Sequence, residues 1–318
     1  MPPMKKFAAV WLVFLILFSA TAQAAQYGAM VDRAVNLRSD TENGAVVGQV
    51  PRFGEVNVQE YGEEWSRISY NKKSGYVKTE YLFAFRSYDP MNFPVPGHVP
   101  AVGCVTLENE LFISGGDFLG TDAPAGSVIC VTGQGETDFT VPVWRSEAKL
   151  DASAGAYTPF VPWQDAQSGD LIGGYTTFYG EQQGKGLAAE RESNILRGCE
   201  LLSGHVVKDD YRFSFNRLCA PYASYNGYKY APNIGGDGFG YGGGVCQVTT
   251  TLYNAVLPLP CRLRDWCIHQ YQGVVYVPQF LDAAVGAHDF SFLNQMPYSI
   301  RIEATAQNGV LTVLVYRN

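Results

Sequence analysis

The chain has 318 residues, 47% of them hydrophobic, with a formal net charge of −7 and seven cysteines. That length predicts two or three domains, and the acidic balance argues against a nucleic acid partner. Beyond the first 25 residues no stretch is long and apolar enough to span a bilayer.

The N-terminus sets two lysines, Lys5 and Lys6, before an apolar run from Phe7 to Phe18, and closes on Ala22-Gln23-Ala24-Ala25. This is the pattern of a secretory signal peptide over residues 1–25, cut after Ala24 or Ala25. Loss of the two lysines leaves 21 basic against 30 acidic residues, a net charge of −9. The mature chain is therefore expected outside the cytoplasm, associated with the cell wall and with no stable membrane span. In an oxidising compartment six cysteines could form three bridges, and the odd one is free. Nearest-neighbour pairing, one of 15 possibilities for six cysteines, joins Cys104 to Cys130, Cys199 to Cys219 and Cys261 to Cys267, leaving Cys246 free. No CxxC spacing occurs, so no metal site is expected.

Residues 26–86 read as short strands at 34–38, 46–50, 56–58, 65–70 and 75–77 with turn residues between, which makes a small all-β barrel. Val35-Asn36-Leu37-Arg38-Ser39, Gly48-Gln49-Val50, Trp65 and Gly75-Tyr76-Val77 leading into Tyr81-Leu82 resemble the bacterial SH3 domain. The resemblance implies a module that holds an exported enzyme on the cell wall; the plainer reading is a spacer whose aromatics form a core. Residues 87–97, with prolines at 90, 94 and 96, read as an extended linker. Residues 98–165 carry β-type runs at 102–107, 111–113, 127–131 and 139–144, a second small β module of SH3-like size. No chemistry is legible in it.

Residues 166–318 mix helix and strand and read as an α+β domain. A helix is predicted over 187–203, with Ala188, Ile195, Cys199 and Leu202 on one face and Gly204 as its stop. Strands are predicted at 211–216, 273–277, 299–304 and 310–315. Between them, seven of the ten residues from Gly235 to Gly244 are glycine. Val248, Leu252, Ala255 and Val256 then recur at helical spacing until Pro258 and Pro260. Cys246 thus falls in the first turn of a helix, where backbone amides favour an anion and a thiolate is the nucleophile. The bland alternative is a core or bridged cysteine, which needs no glycine run. A phosphate-cradling loop would need a Gly-Lys-Ser/Thr ending, and it is absent.

Gly173-Gly174-Tyr175-Thr176-Thr177, Arg191, Asn194-Ile195, Phe213-Ser214-Phe215-Asn216, Gly227-Tyr228, Ala231-Pro232 and Gly242-Gly243-Gly244-Val245-Cys246-Gln247-Val248 resemble the VanW family. Thr250-Thr251-Leu252-Tyr253-Asn254-Ala255, His269, Tyr276-Val277-Pro278, Asp282-Ala283, Asp289, Phe292 and Asn294 continue it. The resemblance implies an L,D-transpeptidase that cross-links peptidoglycan stem peptides through the motif cysteine, with no cofactor. Acyl transfer needs a nucleophile, a base, a group to orient the base, and oxyanion donors. Cys246 is the expected nucleophile and His269, 23 residues later, the expected base. The orienting group is Asp282 in preference to Asp289 or Asn294, any of which could instead cap a turn. Oxyanion donors are expected from the Cys246 amide, from Gly243 or Gly244, and from the Gln247 side chain. Arg191 and Tyr228 are candidates for holding a stem peptide or its carboxylate.

Lys208-Asp209-Asp210-Tyr211 replaces the proline and glycine that commonly precede the Phe-Ser-Phe-Asn block, and Thr249 stands where serine is commoner. Phe280 and Ala284 replace the usual Gly and Thr around Asp282, and Trp266 and Cys267 crowd His269. A reading of another class is a non-catalytic accessory protein, linked to vancomycin resistance, in which the glycine loop binds cell wall or glycopeptide through backbone amides.

Overall fold

The computed structural model describes residues 27–52, 54–86, 97–180, 188–233, 238–269 and 274–318. The expected signal peptide and nearly all of the expected linker lie outside these residues. The first domain contains β1 (Tyr27–Val31), β2 (Val35–Arg38), β3 (Val46–Val50), β4 (Glu55–Glu60), β5 (Trp65–Tyr70), β6 (Lys73–Lys78) and β7 (Leu82–Arg86). They form one antiparallel seven-stranded sheet in the order β3-β2-β6-β5-β4-β1-β7. Period-two alternation turns Val56, Val58 and Ile68 into a core with Val31, Leu37, Val50, Val77 and Leu82. The five strands expected here become seven because β1 and β7 flank them.

The middle segment folds as β8 (Gly103–Leu107), β9 (Leu111–Gly115), β10 (Phe118–Ala123), β11 (Val128–Val131), β12 (Gly133–Gln134), β13 (Asp138–Val143), β14 (Ser146–Asp151) and β15 (Gly155–Pro159). These strands make three small sheets, β10-β9, β11-β8-β15 and β12-β13-β14. All four β-type runs predicted there are strands.

The C-terminal domain follows: β16 (Leu171–Phe178), α1 (Ala188–Leu202), β17 (His205–Val207), β18 (Arg212–Ser214), α2 (Phe215–Cys219), β19 (Tyr230–Pro232), β20 (Phe239–Tyr241), α3 (Val245–Val256), β21 (Cys261–Asp265), β22 (Ser291–Asn294), β23 (Ile300–Gln307) and β24 (Val310–Arg317). Its main sheet runs β16-β24-β23-β17. Every residue of β16 is buried, so the strand is covered on both faces. On one face Thr177 Oγ1 lies 2.7 Å from Thr251 Oγ1 of α3. On the other, the Cys130 amide donates to Thr176 Oγ1 at 2.8 Å and Thr312 Oγ1 donates to the Val128 carbonyl at 2.5 Å. Phe178 and Val310 belong to the core of the middle module. That module is thus one wall of the C-terminal sheet.

Two predicted strands need correction. The one expected at 211–216 ends at Ser214, whose side chain caps α2 by accepting from the Arg217 amide at 3.1 Å. The stretch expected at 273–277 forms no strand over its described residues, 274–277. Val274, Tyr276 and Val277 are buried as a β-pattern demands, yet the segment is held by side chains, with Arg145 Nη2 donating to the Val274 carbonyl at 3.0 Å.

All seven cysteines are thiols in this structure. Cys104 and Cys130 stand opposite each other on β8 and β11, and burial pushes the Cys104 thiol up to about 11. Cys261 is buried at the head of β21 and Cys267 is half-buried on the segment that leaves it, each a free thiol.

His98, at the start of the middle module, is 8% exposed and packed behind α3. Its Nε2 lies 3.2 Å from the Asn254 carbonyl and its ring stacks on Tyr175. Burial lowers its pKa to about 4, against the opposing pull of the Asn254 hydrogen bond. The folded form resists a proton that the unfolded form accepts near the ordinary value, so stability is complete above about pH 6.5 and is lost as pH falls toward 4. We expect His98→Phe to flatten the fall in melting temperature between pH 7 and pH 4.5. An unchanged slope would remove His98 as its origin.

Candidate active site

Of the 12 residues of α3, all but Cys246 are buried. A helix enclosed on every side must satisfy its polar side chains internally. Thr251 Oγ1 donates to the Gln247 carbonyl at 2.8 Å, and Asn254 Nδ2 donates to the carbonyls of Thr250 and Leu281, each at 2.8 Å. Cys246 is the one point where this helix meets solvent.

The glycine turn puts it there. Gly242 and Gly244 have φ of 85° and 112°, a region that disfavours any side chain. A Cβ on Gly243 would lie 2.5 Å from the Pro232 carbonyl oxygen, so the turn passes directly against β19. Asn194 of α1 clamps it, donating to the Gly243 carbonyl at 2.9 Å and to the Lys229 carbonyl at 3.0 Å. The first amides of a helix have no intrahelical acceptor. Among the described residues no carbonyl takes the amides of Gly243, Gly244 or Cys246.

Opposite the helix start stands His269, on the segment that leaves β21. One carboxylate oxygen of Asp282 accepts from the His269 backbone amide at 2.6 Å and lies 2.7 Å from Nδ1. This occupies Nδ1 and leaves Nε2 as the nitrogen available to Cys246, which lines the same cleft and whose Sγ donates to the Val285 carbonyl at 3.7 Å. Burial works against a charged ring, but the hydrogen bond to Asp282 and the nearness of Cys246 outweigh it and lift the His269 pKa to about 9. At neutral pH the imidazole holds its proton.

Asp282, 1% exposed, is fixed on both sides. Asn254 holds the Leu281 carbonyl, the Ala283 amide donates to Thr250 Oγ1 at 3.0 Å, and Trp266 Nε1 donates to the Asp282 carbonyl at 3.1 Å. Trp266, which in sequence crowds His269, supports the aspartate instead. The other two candidates for the orienting group lie elsewhere. Asp289 accepts from Ser214 Oγ at 2.7 Å and the Asn216 amide at 2.9 Å, and Asn294 is spent on the carbonyls of Val207, Lys208 and Tyr298.

Cys246 and His269 open into a cleft of about 310 Å³, shared with Gly243, Gly244, Tyr222 and Tyr241. Three side chains expected on the substrate are not among its lining. Gln247 is fully buried, its Nε2 donating to Thr177 Oγ1 at 3.2 Å and its Oε1 accepting from Arg191 Nη2 at 3.3 Å. Successive residues of a helix are turned by about 100° about its axis, and the residue after the exposed cysteine points inward. Tyr228 is 1% exposed, with its hydroxyl on the Cys219 carbonyl at 3.0 Å. Arg191 is 8% exposed and lies behind the glycine turn.

Sequence reasoning missed Val285, Tyr222 and the clamp formed by Thr250 and Asn254. The Val285 amide donates to Cys246 Sγ at 3.5 Å, the long distance usual for sulfur. A backbone donor on a loop leaves no mark in the sequence. Thr250 and Asn254 sit four residues apart in the helix, the spacing of one face, and that was the available signal.

Residues 190–316 match the model of the family described as VanW like protein, and residues 33–83 match the bacterial SH3 domain. The chain thus carries a VanW-like domain behind an N-terminal bacterial SH3 domain, a pairing typical of extracytoplasmic cell-wall proteins. It is 32% identical over 188 residues to the uncharacterized protein YoaR of Bacillus subtilis (strain 168), a match that covers 58% of this chain and 57% of that protein. Among solved structures it is similar to an NlpC/P60 family protein from Bacillus cereus ATCC 10987, at 9% identity and a TM-score of 0.18, over 44% of this chain and 59% of that one.

Proposed function

We propose that this is an exported, cell-wall-associated acyl-transfer enzyme, an L,D-transpeptidase that cross-links peptidoglycan stem peptides through a thioester on Cys246, with the SH3 domain holding it on the wall. The observation that carries this reading is that the one solvent-reaching residue of α3 is a cysteine that shares its cleft with an imidazole braced by a buried carboxylate. Cysteine, histidine and aspartate in that order of contact are nucleophile, base and orienting group.

Cys246 Sγ attacks the carbonyl after the third stem residue, and the amides of Cys246 and the glycine turn receive the developing oxyanion. The C–N bond breaks as His269 gives its proton to the leaving amine of the terminal D-alanine. An amine of a neighbouring stem then enters, passes a proton to His269 and attacks the thioester; the C–S bond breaks and the thiolate is restored. Water in place of that amine gives carboxypeptidase or endopeptidase activity.

Incubation with a carbapenem is expected to add one mass of drug to Cys246 in intact-protein mass spectrometry, and Cys246→Ala to abolish both this adduct and cross-linking of purified stem peptides. Full cross-linking by Cys246→Ala would end the reading. A wild-type protein that binds stem peptides and forms no adduct would favour a binding accessory role.

A further inference from the structure

The buried guanidinium of Arg191 has no anion to answer it among the described carboxylates. Arg191 sits in the first turn of α1, 8% exposed, and the hydrogen bond it makes goes to a neutral amide oxygen, Gln247 Oε1, at 3.3 Å. None of the ion pairs among the described residues includes it. A cation out of water without a counter-charge is strongly unfavourable. Its main chain is held hard against the nucleophile's turn, because a Cβ on Gly244 would lie 2.8 Å from the Arg191 carbonyl oxygen and 3.0 Å from its Cγ.

Two groups able to ionise bear on this cation's charge, Tyr276 and then Cys246, and Cys246 lies two residues past the glycine packed on Arg191. Burial, followed by the nearness of Cys246, pushes the Tyr276 hydroxyl far above its ordinary value, so it stays neutral. Cys246 is the one that can carry the compensating charge.

We propose that Arg191 is the fixed counter-charge of the Cys246 thiolate, acting from beneath the helix start and never touching substrate. This rests on reading Cys246 as a nucleophile. It gives the sulfur two cations of different kinds. His269 takes the thiol proton and later returns one, whereas Arg191 keeps its charge throughout. When the acyl group is on sulfur and the negative charge is gone, the guanidinium is left unanswered, which favours release of the thiolate in the second half-reaction. Arg191 is therefore a positioning residue with an electrostatic part in both halves. The other titratable groups facing Cys246 are His269, with Asp282 behind it, and Tyr222 and Tyr276, both held neutral chiefly by burial.

The test follows the rate of Cys246 alkylation by iodoacetamide against pH in the full chain without substrate, located by peptide mass spectrometry. Arg191→Met is expected to slow alkylation at pH 7 by about tenfold or more and to move the profile to higher pH, while Arg191→Lys stays within about threefold of the parent. Because Arg191→Met also removes packing, Gln247→Glu supplies a second arm that keeps the arginine and sets a carboxylate at its existing contact. If Arg191 serves the thiolate, Gln247→Glu neutralises it and slows alkylation as Arg191→Met does. If Arg191 only packs α1 on α3, Gln247→Glu leaves the profile in place, and the proposal is overturned. Cross-linking is measured separately: a slowed, shifted profile with no acyl transfer in the parent would retire the transpeptidase and leave the counter-charge standing.

Discussion

Asp282→Asn is expected to slow carbapenem acylation of Cys246 on the order of a hundredfold, and Asp282→Ala on the order of a thousandfold, with the fold retained in both. The two differ because one carboxylate oxygen receives both the backbone amide and Nδ1 of His269. An asparagine oxygen can still accept from the backbone amide, so the ring stays in place while the charge that favours the imidazolium is lost. Alanine removes the acceptor too, leaving two buried donors unanswered and the imidazole free to present either nitrogen to sulfur. A stability readout separates this from loss of packing. With its pKa raised to about 9, His269 contributes stability that is complete below about pH 6.5 and lost as pH rises through about 9, on the order of 3 kcal/mol. The parent should therefore lose melting temperature between pH 7 and pH 10, and Asp282→Asn should show a shallower slope. Parent-like acylation and an identical slope in the variant would mean that the carboxylate does not govern the imidazole.

What was legible in the sequence was local. Seven glycines in ten residues, helical spacing from Val248 and two prolines after it place Cys246 in the first turn of a helix, and the structure begins α3 at Val245. The residue types of the pair were also readable, since histidines are few and His269 follows a motif. Its contact with Asp282 joins residues 13 apart across a loop, and no periodicity reports such a contact.

The failures share a cause as well. Val274-Val275-Tyr276-Val277 has the β-branched and aromatic make-up of a strand, yet three of the four are buried without strand pairing and the Val274 carbonyl is taken by Arg145 from the middle module. Tertiary partners outweighed propensity. Arg191, Gln247 and Tyr228 are polar residues beside a nucleophile, and the sequence does not distinguish a side chain that meets a ligand from one that meets its neighbour. The middle module covers β16 and reaches the Tyr276 segment through Arg145, so it contributes to the shape of the site. The one clue was the unbroken apolar and small run from Leu171 to Phe178, the pattern of a strand buried on both faces, which implies a cover on each.

Gly244→Ala is expected to destabilise the protein by about 3 kcal/mol and to slow Cys246 acylation more than tenfold. Two effects combine at this position. Its φ of 112° is one that a side chain resists, and the added methyl would stand 2.8 Å from a backbone oxygen of α1 and 3.2 Å from Ile195 Cγ1. A flexible side-chain end could swing aside, but the carbonyl of Arg191 moves only if the helix moves, and α1 also carries the Asn194 clamp on Gly243. Gly286, across the same cleft, separates the two contributions: its φ is 113°, and a Cβ there would meet nothing within 4 Å. Gly286→Ala should therefore show the backbone strain alone, about 1 kcal/mol. Chemical denaturation of the two variants measures the difference, which is the energy of pressing α1 against the start of α3. Equal losses would mean that α1 yields freely, and then neither the clamp nor the buried guanidinium could hold the sulfur in place.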